Sequence, residues 1–191
     1  MDELRFDAGR ICLDLLATAH PLERLDAVGP LCAWIRGCGL VPPDTPLAHA
    51  DASWPPAFRE LRRNTGQLVH GWLARNEAGS YDLALTRVND AARAVPPAPR
   101  AVRGEDGGLV RELAGPPACA ALLAAVARDA VELLTDSVAR AGLRQCAGDN
   151  CPIVYVDMSR GRRRRWCSSE VCGNRERVAR HRRRAALASR S

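Results

Sequence analysis

Lysine is absent from this 191-residue chain: all 28 basic side chains are arginine. Alongside abundant alanine, glycine and proline, that one-sidedness is the mark of a coding bias, so an arginine at any single position says little. Aromatic residues are scarce, at 4%, which argues against a surface that stacks unpaired bases on rings. No apolar run approaches the roughly 18 to 20 uninterrupted residues that span a bilayer, and no membrane partner is expected. Histidine is limited to His20, His49, His70 and His181, scattered and without an activated nucleophile or an open metal site beside them, so no catalytic role is expected. The N-terminal MDELRFDAGRICLDLL mixes charges of both signs and lacks a signal-peptide layout, which makes the cytoplasm the default location.

What is present is unevenly placed. The apolar fraction of 47% provides for one domain of ordinary size plus a small module. Residues 144–191 hold 13 arginines against Asp149, Asp157, Glu170 and Glu176, a net of +9; the other 143 residues carry 15 arginines and 18 acids, a net of −3. Coding bias acts on the whole chain and does not explain that clustering.

The first part reads as mainly helical. Residues 9–18 place Ile11, Leu15 and Thr18 near one face, with Cys12 and Leu16 beside them. Gly29 and Pro30 look like the cap and first position of a helix burying Leu31, Trp34, Ile35 and Cys38, which Gly39 stops. The proline-rich stretch 41–56 is a connector. After Pro56, the spacing of Phe58, Leu61, Thr65, Leu68, Val69 and Trp72 predicts an amphipathic helix. A further helix is expected from Tyr81 to about Ala94 with Leu85, Val88 and Ala92 inward. Residues 100–113, folded about Gly-Glu-Asp-Gly-Gly, suit a β-hairpin with Val102 against Leu109 or Val110. One long core helix is expected over 118–141, with Leu122, Leu123, Val126, Ala130, Leu133, Leu134 and Val138 on its stripe and Gly142 as its C-cap. The link from Gly142 to the first cysteine of the C-terminal part is very short, so the two parts should pack together.

Cys146-x4-Cys151 and Cys167-x4-Cys172 form two knuckles separated by fifteen residues. In a reducing compartment such pairs are metal ligands more often than disulfides, and four thiolates fill a tetrahedral zinc site. A segment this short has too little apolar material to fold by burial alone, so one structural Zn²⁺ is the expected cofactor. Residues 153–166 read as two strands turning at Ser159-Arg160-Gly161, followed by a helix from about Ser169 to Ala185 that Ser168 or Ser169 caps: knuckle, hairpin, helix, a treble-clef-like finger. Cys12, Cys32, Cys38 and Cys119 lie singly on apolar helix faces and read as packed thiols.

The same residues carry a family resemblance. The two Cys-x4-Cys pairs, Tyr155-x-Asp157-x-Ser159-Arg160, Arg165-Trp166-Cys167 and Cys172-Gly173-Asn174-Arg175 resemble the bacterial CGNR zinc finger. Leu13-Asp14-Leu15-Leu16-Ala17-Thr18 and the long helix before the finger resemble its usual partner, the ABATE domain, although Ala17 stands where that family has Asn, Leu15 where it has an aromatic residue, and Tyr155 where the finger has Phe. The resemblance implies two domains, 1–142 ABATE-like and 143–191 the finger, in a DNA-binding transcriptional regulator of stress response.

Like charges as dense as these repel one another unless a polyanion neutralises them. Duplex DNA is the expected partner, held by Arg160, Arg162, Arg163, Arg164 and Arg165 ahead of Trp166 and by Asn174, Arg175, Arg177, Arg180, Arg182, Arg183 and Arg184 on the helix. Asn174 suits either a base edge or a cap on the turn after Cys172. RNA or ribosome association and a zinc-thiolate redox switch are the alternatives. The N-terminal domain is open to an effector or to homodimerisation, with Arg10, Asp14 and Thr18 as a candidate polar pocket, although a capping network explains those three equally well.

Overall fold

The computed structural model of the chain describes residues 4–75 and 80–188, with side chains as far as residue 183. The fold is mainly α: α1 Ile11–Ala17, α2 Val28–Gly37, α3 Trp54–Ala74, α4 Tyr81–Ala92, then a hairpin of β1 Pro99–Arg103 and β2 Leu109–Leu113, then α5 Cys119–Thr135 and α6 Ser137–Ala141. The finger comes next as β3 Leu143–Gln145, β4 Val154–Val156, a single π-helical turn Ser169–Gly173, and α7 Asn174–Ala188.

Two helices begin earlier than their prolines suggested. α2 starts at Val28 and α3 at Trp54, which places Pro30, Pro55 and Pro56 inside first turns, where a missing N–H costs no helical bond. Gly39, at φ +75, takes the left-handed position just past α2. In α4 Val88 is buried and Ala92 packs against the core as expected, but Ala84 takes the inward place expected of Leu85, which is exposed. The β1–β2 register pairs Val102 with Val110.

The predicted 118–141 helix is two helices. Asp136 takes an extended conformation, and its carboxylate accepts from the amides of Val138 (2.8 Å) and Ala139 (3.3 Å), capping α6. That break swings Val138 off the stripe into solvent, while Leu122, Val126, Ala130 and Leu133 of α5 stay buried.

A continuous core joins Cys12, Leu13 and Leu15 of α1, Trp34 of α2, Phe58 and Leu68 of α3, Val88 of α4 and the buried residues of α5. Trp34 meets Phe58 edge to face with ring centroids 5.9 Å apart. The same core takes in Leu143, Ile153, Val154, Tyr155 and Val156 of the finger, so the finger packs on the helices and does not hang from them. Gly142 permits this: a Cβ there would stand 3.1 Å from both the Ala139 carbonyl and Val156 Cγ1. No described helix is long and apolar enough to cross a membrane.

Candidate metal centre and basic surface

The hairpin of the finger differs from expectation. Val154–Val156 pairs backward with Leu143–Gln145, with Leu143 opposite Val156 and Gln145 opposite Val154, and not forward with 162–166. The first knuckle is therefore the loop of this hairpin, closed by Cys146 N–H to Ile153 O (2.9 Å) and Cys151 N–H to Gly148 O (3.1 Å).

Residues 157–166 form a loop held by side chains. The Asp157 carboxylate accepts from Ser159 N–H (3.0 Å), Ser159 Oγ (2.6 Å) and Arg164 N–H (2.9 Å), and these bonds, led by the serine hydroxyl, hold its pKa below the usual carboxylate range. The buried Tyr155 hydroxyl donates to Arg164 O (2.6 Å). Past the loop, Ala147 N–H donates to Arg165 O (2.9 Å), which delivers Cys167 to the first knuckle. Ser168 Oγ then accepts from the amides of Glu170 and Val171, both at 3.2 Å, and Gly173 N–H reaches back to Ser168 O, making the wide turn that aims Cys172 inward.

Cys146, Cys151, Cys167 and Cys172 converge with all four sulfurs within 4.8 Å of one another. Cys151 and Cys167 are 3.6 Å apart and Cys167 and Cys172 3.5 Å. A disulfide needs about 2.05 Å, whereas a cation about 2.3 Å from each of four tetrahedral sulfurs sets them about 3.8 Å apart. The cysteines therefore fit zinc and exclude disulfides. The Cys146 sulfur accepts from the amides of Cys167 (3.3 Å) and Gly148 (3.4 Å), the pattern that stabilises a thiolate. These bonds outweigh burial and lower its pKa; burial dominates at Cys151, pushed up to about 11, so that metal binding there displaces a proton. His181 is exposed on α7. Cys12, Cys32, Cys38 and Cys119 are free thiols, buried or half-buried.

The N-terminal arm reaches this centre. Arg5 pairs with Asp7 at 2.8 Å, and its positive charge acts on the Cys167 thiol to favour the thiolate. Ala8 O accepts from Val156 N–H (2.9 Å), and Gly9, at φ +86, carries the arm past the Val156 carbonyl into α1. A cleft of about 810 Å³ separates arm from finger, bordered by Arg5, His20, Cys151, Ser168 and Arg175.

The arginines divide. Arg164, counted from the sequence among the DNA contacts, belongs to the fold: its guanidinium lies 4.5 Å over the Tyr155 ring and donates to the carbonyls of Trp166 (2.9 Å), Asp7 (2.9 Å) and Cys167. Arg160, Arg162, Arg163, Arg165, Arg175, Arg177, Arg180, Arg182 and Arg183 lie at least partly open to solvent, and Asn174 is exposed. Arg177 also donates to Gly173 O (3.4 Å) and Ser169 O (3.3 Å), and Arg183 lies 3.7 Å from Glu176. Arg184 belongs to α7, and its side chain lies outside the described residues.

Arg10, Asp14 and Thr18 each have partners of their own. Arg10 pairs with Asp129 (2.8 Å), whose other oxygen accepts from Cys12 N–H. Asp14 accepts from Ala8 N–H (3.0 Å), and burial, with Asp7 and Asp129 nearby, raises its pKa to about 7. Thr18 donates to Leu15 O (2.6 Å) and accepts from Arg62, which pairs with Glu23. A cleft of about 880 Å³ lies elsewhere in the helical part, between the β1–β2 hairpin and residues 41–46.

Four thiolates fill a tetrahedral zinc and leave it no position for substrate, so the centre is a structural zinc module set beneath a cationic helix. Residues 9–137 match the sequence model of the ABATE family, described as “Putative stress-induced transcription regulator”, and residues 143–185 match that of the CGNR zinc finger. The chain belongs to the ABATE family and carries the CGNR finger C-terminal to that domain. No curated protein matches it.

Proposed function

We propose that the protein is a zinc-dependent binder of duplex DNA that acts in transcription regulation and has no catalytic activity. The observation that carries this reading is the row of solvent-facing arginines on α7 and the 160–165 loop, opposed only by Glu176 on the described part of α7 and rooted on a centre that only a metal completes. Zinc supplies a charge anchor that fixes two knuckles. The chain's own residues then set the geometry: Asp157 and Tyr155 hold the loop, and the turn at 169–173 launches α7 so that Asn174 and Arg175 lead its first turn. Arginines along the helix and loop meet phosphates, while Asn174 and Arg175 reach base edges.

Anisotropy of a labelled random duplex, titrated with zinc-loaded protein across a salt series, tests this. Six phosphate contacts give a slope of log affinity against log salt of about −5. Arg175→Gln with Arg180→Gln should make it shallower by about 1.8, and chelation should abolish binding. Absence of binding at low salt with zinc present overturns the reading. Tighter binding to structured RNA than to duplex overturns it in favour of an RNA partner.

A further inference from the structure

A second basic surface lies where α3 and α6 of the helical domain meet β3 of the finger. Trp72, Arg75, Arg140 and Arg144 line a groove of about 640 Å³ with no acidic residue among the described residues of its lining. Among the described residues none of the three arginines has a carboxylate within ion-pair distance. The acceptors they reach are neutral: Arg140 Nη1 donates to Leu134 O (2.8 Å), and Arg144 Nη1 to Ala141 O (2.9 Å) and Leu143 O (2.8 Å).

Capping the C-terminal ends of α5 and α6 accounts for one nitrogen of each. It does not account for the rest. Of the Arg140 nitrogens only Nη1 has a described acceptor, and Nε is buried without one. Trp72 is 40% exposed, with the Arg140 guanidinium stacked 4.3 Å from its ring centroid, so the ring orients that cation at the groove. Arg75 sits at the end of α3 in the left-handed conformation, exposed.

The groove is continuous with the finger. Arg144 stands opposite Tyr155 in the β3–β4 register, and Arg164 stacks on that ring. Arg162 of the loop donates to Val138 O on α6, two residues before Arg140. Basic charge therefore runs from the loop, across α6, to the foot of α3.

We infer that Arg75, Arg140 and Arg144, with Trp72, form a phosphate-binding surface contributed largely by the helical domain, which contacts the backbone of the same DNA duplex that the finger holds; this rests on the duplex-DNA reading of the finger. The finger then binds with the helical domain laid along the duplex, and the footprint is longer than a lone finger would give.

The test uses the full zinc-loaded chain and the double variant Arg75→Gln/Arg144→Gln, two exposed positions neither of which is a zinc ligand. Arg87→Gln/Arg93→Gln, at exposed positions on and just past α4, is the matched control for net charge. Loss of two phosphate contacts should make the salt slope shallower by about 1.8 and lower affinity in 0.1 M salt by more than tenfold, with the control near wild type. Hydroxyl-radical footprinting of the double variant should lose protection at one end of the site. A slope and footprint equal to those of the control, with Arg175→Gln/Arg180→Gln still impaired, overturn this inference alone. Failure of the wild-type chain to bind duplex overturns it together with the function it rests on.

Discussion

Asp157, one of the residues that carry the family resemblance, serves as scaffolding. Its carboxylate is buried and accepts three hydrogen bonds that shape the loop between the knuckles. Asp157→Ala should lower both the thermal midpoint and zinc retention in a chelator competition, while Arg163→Ala, exposed on the same loop, should leave both unchanged. Asp14 behaves oppositely. Its folded pKa of about 7 lies above the unfolded carboxylate value, so between about pH 4 and 7 the folded state holds a proton that the unfolded chain has lost. Stability from this group is therefore fully present below about pH 4 and falls as pH rises through 7. Asp14→Asn keeps an oxygen for the Ala8 amide and removes the titration. Its urea-unfolding free energy should gain on wild type by about 2–3 kcal/mol between pH 5 and 8; a constant difference would contradict the pKa assignment.

At the scale of elements, strongly periodic segments were legible and their junctions were not. The stripe on α3 was readable because Phe58, Leu61, Thr65, Leu68 and Val69 repeat at helical spacing. The break at Asp136 was hidden because Ala130, Leu134 and Val138 keep helical spacing straight through it; the signal lay in an aspartate two and three residues ahead of the amides it caps. The strand Val154–Val156 was visible, but its partner was not, since three-residue strands carry too little pattern to choose between a neighbour before the knuckle and one after it. The four sulfurs were identifiable from spacing alone, because tetrahedral coordination restricts sequence more tightly than burial does. The basic groove was invisible, since its residues come from 71–75 and 140–144 and meet only through packing. Gly142 is where element packing is tight on both sides. Gly142→Ala forces a methyl against the Ala139 carbonyl and Val156 and should cost about 1–3 kcal/mol, measured by denaturant unfolding of the zinc-loaded protein.

For the whole molecule, the finger and the helices share one core and one arm. Removing zinc with a chelator should therefore unfold more than the finger: amides of Ala8 and of Val154–Val156 should lose exchange protection together, while α5 amides at Val126 and Ala130 remain protected. Loss confined to residues 146–188 would show that the arm docks independently of the metal. The arm bonds Ala8 to Val156 and Asp7 to Arg164 across about 150 residues of sequence. Because the arm and the ion hold the same arrangement of the finger, each must tighten the other by an equal factor. Any process that lifts residues 7 and 8 off the finger weakens the protein's hold on zinc to that extent, and a cell short of zinc would release them by the same measure, so metal supply and the exposure of this arm are two readings of one equilibrium.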